Sequence, residues 1–142
     1  MLEVPHALAG GALGGLTGNP FLAAPVGVAS HFAGDLLPHW NPQWPFKGRR
    51  EYVLAIGDFV VALGLVGAFY VMFPDRPEIA IGAFCGCLPD ILSAATFILK
   101  VTWFDWLTPF HIRVQNEVSL RAGWWPQGLV ALLSIYYLAQ LT

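Results

Sequence analysis

Between Tyr52 and Phe73 the chain runs 22 residues with one acidic residue, Asp58, and no basic one. A run of that length and polarity is a candidate for crossing the roughly 30 Å hydrocarbon core as a helix. It constrains the fold more than any other feature, because a span in lipid must satisfy its own backbone hydrogen bonds. Four more apolar segments flank it, Val4 to Thr17, Phe21 to Leu37, Ile79 to Leu99 and Gly123 to Leu141. Charged residues make up 11% of the chain and hydrophobic residues 56%, whereas soluble domains carry about 25% charged residues. The expected fold is an all-α integral membrane protein, one membrane-embedded domain over residues 1–142. It has about five membrane segments, including a short N-terminal hairpin, and an amphipathic segment on the cytoplasmic side. A net charge of -2 without a basic stripe argues against nucleic acid as a direct partner.

The first segment is short for a span and dense in glycine, with Gly10, Gly11, Gly14 and Gly15 giving overlapping small-xxx-small pairs. Such a face lets a second helix approach closely, within one copy or between copies of a homo-oligomer. "TGNP" at 17 to 20 reads as a stop and restart, with Gly18 and Asn19 at a helix C-terminus and Pro20 in the first turn of the next helix. The start has no Lys or Arg ahead of its apolar run, so a cleavable signal peptide is not expected. "PHWNPQWPFKGRRE" then forms an interfacial loop, and residues 100 to 122 are amphipathic. Cys85 and Cys87 point to different sides of a helix, which disfavours a disulfide and leaves them as small apolar fillers. Lys47, Arg49 and Arg50 fall in one loop and Lys100, Arg113 and Arg121 in another, against Arg76 alone on the opposite side. By the positive-inside rule the N-terminus is expected to be cytoplasmic.

On this topology the ionisable residues share one leaflet. His6 lies near the start of the first segment, and His31, Asp35 and His39 end the second. Asp58 lies in the third, Asp90 in the fourth and His111 in the second cytoplasmic loop. A charge in hydrocarbon costs at least about 2.5–3.5 kcal/mol on insertion scales, so such residues mark function. Asp35, Asp58 and Asp90 would repel one another, and no Lys or Arg within segments two to four can pair with them. A divalent metal, with zinc the expected ion, would neutralise them, and imidazoles are its usual co-ligands. His31 and Asp35, at i and i+4, point from one helix face. Blander readings stand beside these: His6 and His39 as interfacial residues, and Asp90, after Pro89, as the cap of a restarted half-helix.

At "PHALAGGALGG", "SHFAGDLLPHW" and "GAFCGCLPDILSA" the chain resembles the bacterial inner-membrane metal-dependent hydrolases, some of them described as LexA-binding. His6, the Pro89-Asp90 pair and His111 match that family's N-terminal His, its Pro-Asp element and its late His. His31-x-x-x-Asp35 also resembles the His-x-x-x-Asp zinc motif of zinc-dependent phospholipases C. The chain departs from the family's Asp-x-Asp-His string, having "PDILSA", and has "LTPFHIR" where the family places Arg-Gly ahead of its His.

Residues and resemblance together point to a metal-dependent hydrolase acting on a phospholipid, or another lipid phosphate or ester, at the cytoplasmic leaflet. Its metal ligands are His6, His31, Asp35, Asp58, Asp90 and His111, and His39 or a carboxylate such as Asp58 serves as general base. Arg49, Arg50 and Arg113 are candidates to receive phosphate. Two other classes fit the same polar cluster: an ion- or proton-coupled transporter or channel subunit, and a non-catalytic scaffold whose buried polar groups fix helix packing.

Overall fold

A computed structural model describes residues 1–42, 46 and 48–141, without the side chains of Phe97 and Ile98. Trp44 and Lys47 of the expected interfacial loop lie outside the described residues. The described residues fold into six α-helices: α1 (Glu3–Thr17), α2 (Pro20–Leu36), α3 (Arg49–Met72), α4 (Pro77–Leu99), α5 (Leu107–Val114) and α6 (Leu120–Ala139). A 3-10 turn, Thr102–Phe104, joins α4 to α5. Among the described residues there is no strand, and one isolated bridge pairs His39 with Glu117.

The α1–α2 joint follows from its four residues. Gly18 takes a left-handed conformation at φ 56° and its N–H returns to the Gly15 carbonyl, which ends α1. Asn19 then caps α2, its side chain accepting from the Phe21 and Leu22 amides at 2.8 and 3.4 Å. Asn19 thus belongs to the restart, where its short amide satisfies donors that no helical carbonyl reaches. α4 runs through Pro89 as one helix, so Asp90 does not cap a restarted half-helix. α2 and α6 likewise continue through Pro25 and Pro126.

α1 is the central element, packed against α2, α3, α4 and α6. The glycines explain how it fits there. A Cβ on Gly14 would lie 2.7 Å from the Glu78 carbonyl oxygen and 2.9 Å from Gly82 Cα, and one on Gly86 would lie 2.5 Å from the His6 carbonyl oxygen. The small face of α1 is therefore spent within the chain, against α4. Farther along, Leu8, Ala12, Phe69, Phe73, Ile79, Ala83 and Leu138 form the apolar core. Arg76 closes that end, donating from Nη2 to the Gly15 carbonyl at 2.8 Å and from Nε to Glu78 at 3.2 Å.

The N-terminus of α1 is capped from other helices. Asp58 of α3 accepts the Glu3 amide at 2.6 Å and the Val4 amide at 3.2 Å, and Gln127 of α6 accepts the Leu2 amide at 3.2 Å. These are donors with no intrahelical partner, so this cap ties three helices together at one end of the bundle.

Among the described residues two helical stretches, Arg49–Met72 and Pro77–Thr96, are long and apolar enough to cross a membrane, with mean hydropathies of 2.1 and 1.6. α1 and α2, at 15 and 17 residues, are shorter than the roughly 20 residues a span needs. α6 has the length, but Trp124, Trp125, Pro126 and Gln127 dilute its hydropathy. α3 turns most of its apolar side chains outward, with Val53, Ile56, Val60, Tyr70 and Val71 all at least 60% exposed.

Candidate metal centre

The start of α1, the end of α2, the Gly86–Ser93 stretch of α4, and α5 meet at the end of the bundle that carries the capped α1 terminus. Four histidines and Asp35 are buried there. Their positions follow from local structure. His31 and Asp35 share one face of α2 across a turn, with His31 Nε2 3.2 Å from Asp35 Oδ2. His6, one turn into α1, stacks on His31 with ring centroids 3.8 Å apart and brings its Nε2 to 3.2 Å from Asp35 Oδ1. The stack is possible because Gly86 lets α4 lie against the His6 backbone. His111 arrives from α5, its Nε2 2.8 Å from Asp35 Oδ2, 3.0 Å from His31 Nε2 and 3.4 Å from Asp90 Oδ1. The Met1 nitrogen also lies against Asp35 Oδ1, 3.1 Å from His6 Nε2. Phe32 sets its ring edge-on to those of His31, His111 and Phe110, forming an apolar wall.

Hydrogen bonds away from the cluster fix which ring nitrogens face it. His31 Nδ1 lies 2.7 Å from the Gly86 carbonyl. A carbonyl can only accept, so His31 Nδ1 carries a proton and Nε2 is the nitrogen turned to Asp35. Ser93 Oγ sits 3.2 Å from His111 Nδ1, where its hydroxyl donates or accepts, and holds that ring with Nε2 toward Asp35. Such partners on the remote nitrogen are the usual support of a metal-binding histidine. The donor spacing agrees. Four ligands at 2.0–2.1 Å around a tetrahedral zinc stand roughly 3.3 Å apart, and the separations above run from 2.8 to 3.4 Å. Two overlapping groups, His6 with His31 and Asp35, and His31 with Asp90 and His111, each hold their ligand atoms within 4.8 Å of one another. These buried groups could hold a metal ion. The two groups share the one Nε2 of His31, which can serve one ion at a time.

Of the seven residues singled out from sequence, His6, His31, Asp35, Asp90 and His111 are brought together. His39 is buried at the edge, its Nε2 3.8 Å from Asp35 Oδ1. Asp58 belongs to neither group, and both its oxygens are turned to the α1 amides. Arg49, Arg50 and Arg113 are exposed.

Several residues at the site gave no signal in sequence. Ser93 and Gly86 act through contacts 18 and 55 positions away. Glu3, one turn before His6, is buried beside Asp90 and Asp58, and its Oε2 meets no hydrogen-bond partner among the described residues. Gln115 did carry a signal, since it stands four after His111. Its amide lies between His39 Nε2, 2.7 Å from Oε1, and Asp35 Oδ2, 3.0 Å from Nε2.

No family model matches the chain, and no solved structure matches it. Among curated proteins it is similar to a methylated-thiol–coenzyme M methyltransferase of Methanosarcina mazei, at 32% identity over 101 residues. That match covers 70% of this chain but 24% of the methyltransferase, so the chain spans about a quarter of that relative's length.

Proposed function

We propose that this chain is a membrane-embedded, metal-dependent hydrolase of a phospholipid or other lipid phosphate or ester, working at the cytoplasmic leaflet. The observation that carries this reading is the convergence of buried ligand-type atoms: His31, held through Nδ1 by the Gly86 carbonyl, turns its Nε2 to Asp35 Oδ2 at 3.2 Å, and His6 and His111 turn theirs to the same carboxylate at 3.2 and 2.8 Å. Imidazole and carboxylate atoms so grouped are the usual ligands of a divalent cation.

His6, His31, Asp35 and His111 would hold the ion, with Asp90 at its open side. A divalent cation there supplies electrophilic activation of water and of a phosphoryl or acyl oxygen, and zinc suits a set rich in imidazole. Asp90, the most exposed carboxylate of the group with 30% of its side chain accessible, is placed to take a proton from the attacking water. Asp58 is occupied as a cap and serves the site by holding α1, and thereby His6, in place. The resemblance to inner-membrane hydrolases supports the same chemistry.

The membrane reading rests on α3 and α4 as spans. α1, about 22 Å long at 1.5 Å per residue, would form a re-entrant hairpin with α2. Trp103 and Trp106, which are exposed beside α5, would sit at headgroup depth. The cations Arg49 and Arg50 support a cytoplasmic location for that face, with the N-terminus.

The methyltransferase relative favours a second reading, methyl transfer from a methylated thiol at the same centre. One set of assays separates these readings. Full-length protein purified in detergent is analysed for metal, then tested with phospholipid and lipid-phosphate substrates, with a methylated thiol plus an acceptor thiol, and for ion flux in liposomes. Bound metal and hydrolysis, both lost in Asp35→Asn, is the expected result. Metal-dependent methyl transfer without hydrolysis would establish the second reading. Flux without hydrolysis would establish a transporter, and absence of metal would overturn the proposal.

A further inference from the structure

An open hollow of about 460 Å³ lies beside the candidate centre, between residues 40–42 after α2, residues 117–120 at the start of α6, and Glu51 in the first turn of α3. That volume is within the range of small-molecule sites. Its walls are pinned through the backbone. The His39 amide donates to the Asn116 carbonyl at 3.1 Å and the Val118 amide to the His39 carbonyl at 2.8 Å, while Gln127 Nε2 donates to the Trp40 carbonyl at 3.0 Å. A Cβ on Gly123 would collide with the Trp40 nitrogen, so α6 lies directly on this stretch. The hollow adjoins the centre, because Trp40 follows His39, whose Nε2 is 3.8 Å from Asp35 Oδ1.

The residues that line the hollow define what it would take. Glu51 and Glu117 share it with Trp40, Asn41 and Ser119, and no Lys or Arg is among its described lining residues. A concave site lined by one sign of charge concentrates the opposite one. Glu51 has a second task, since an acid in the first turn favours its helix N-terminus, whereas Glu117 is exposed outside any helix. An indole beside carboxylates suits an organic ammonium: the ring attracts the cation and packs its apolar substituents, and the acids balance its charge. An inorganic cation is served less well, because it wants several oxygens close about one point. Just beyond the lining the charge reverses. Arg49 and Arg50 precede Glu51, Arg121 follows Leu120, and all three are exposed.

We infer that the hollow is a subsite for an organic ammonium group, supplied by the headgroup of a zwitterionic phospholipid whose phosphate lies toward the adjoining arginines. The headgroup assignment rests on the lipid-hydrolase reading above and names its substrate class; the ammonium subsite rests on the hollow alone. The loop after α2 and the first turn of α3 belong at headgroup depth, where such a group is delivered. An anionic lipid has no ammonium to place there and would meet two carboxylates.

The experiment uses the full chain in a maltoside detergent with a chelator present, so that binding is read apart from any metal. Choline and its neutral isostere 3,3-dimethylbutanol are titrated and followed by saturation-transfer NMR. Choline is expected to bind and the isostere to bind far more weakly. Glu117→Gln and Trp40→Leu should each weaken choline by roughly 3–30-fold, and Asp105→Asn, an exposed carboxylate outside the lining, should not. In a second arm, mixed micelles offer phosphatidylcholine and phosphatidylglycerol equally, and native mass spectrometry reads the lipid retained. Wild type should keep phosphatidylcholine, and Glu117→Gln should lose the preference. Choline binding without a lipid preference overturns the headgroup assignment and gives the subsite to a soluble ammonium compound. Equal binding of choline and its isostere, or none of choline, overturns the subsite. These wild-type outcomes decide the matter even if a variant fails to fold. Choline binding in a protein that hydrolyses no lipid overturns the hydrolase reading and leaves the subsite standing, and hydrolysis without ammonium selection does the reverse.

Discussion

Asp58 and Asp35 are both aspartates in apolar helices, and their surroundings assign them different work. Asp58 accepts two backbone amides of α1. Asp58→Ala would leave two poorly solvated donors without partners, at about 1–3 kcal/mol, while every residue of the metal cluster stays in the chain. The expected outcome is a lower thermal midpoint in detergent with zinc bound at wild-type stoichiometry. Loss of zinc with no loss of stability would show Asp58 to be a ligand instead. Asp35 touches four imidazoles, so Asp35→Asn is expected to abolish metal binding, read by elemental analysis of the purified protein. Sequence alone treated these two alike. His31 and Asp35 were legible because their i, i+4 spacing puts both on one helix face. The cap made by Asp58 was not, because its partners lie 54 and 55 positions away and no local pattern records them.

At the scale of elements, the closeness of α1 and α4 decides whether the centre assembles. A Cβ on Gly82 would sit 2.8 Å from Gly14 Cα and also meet the Gly10 carbonyl. These are backbone atoms that cannot swing aside, so Gly82→Ala must push the helices apart, at about 1–3 kcal/mol. That displacement carries His6 on α1 away from His31, whose ring is anchored to Gly86 on α4. Gly82→Ala is thus expected to weaken zinc binding as well as lower the melting temperature. Gly64→Ala on α3, where an added Cβ meets nothing within 4 Å, is the control, expected to leave both unchanged or to raise stability slightly. Equal behaviour of the two variants would refute the coupling. Helix extents were largely readable from hydropathy: the five apolar segments correspond to α1, α2, α3, α4 and α6. The error at Pro89 has a physical source, since a missing N–H marks a weak point in a helix without requiring a break there. The glycine pattern announced close packing, but its partner could be found only in three dimensions.

The whole molecule is a bundle whose two ends are held by different means. One end is an apolar core of Leu8, Phe69, Phe73, Ile79 and Leu138, and the other is built from buried imidazoles and carboxylates. α5 reaches the bundle at that polar end, through Leu107 and His111, while Trp106, Phe110 and Ile112 face outward. An element with so little apolar burial depends on the site it completes. A cation bound by ligands from α1, α2, α4 and α5 should therefore act as a cross-link as well as a reagent. Because an ion that binds only the folded chain stabilises it by mass action, zinc at about 100 times its Kd is worth about 2.7 kcal/mol. Zinc is expected to raise the thermal midpoint of wild type and a chelator to lower it. Asp35→Asn should be insensitive to both. Hydrogen exchange then locates the effect: protection gained on zinc addition should concentrate in residues 107–118, which pack through the centre, and be smaller in α3, which supplies no residue of either ligand group. No change in protection on zinc addition would mean that the polar end is already rigid without an ion. That outcome would make the buried cluster a packing device, the role that remains if no cation binds between His31 and Asp35.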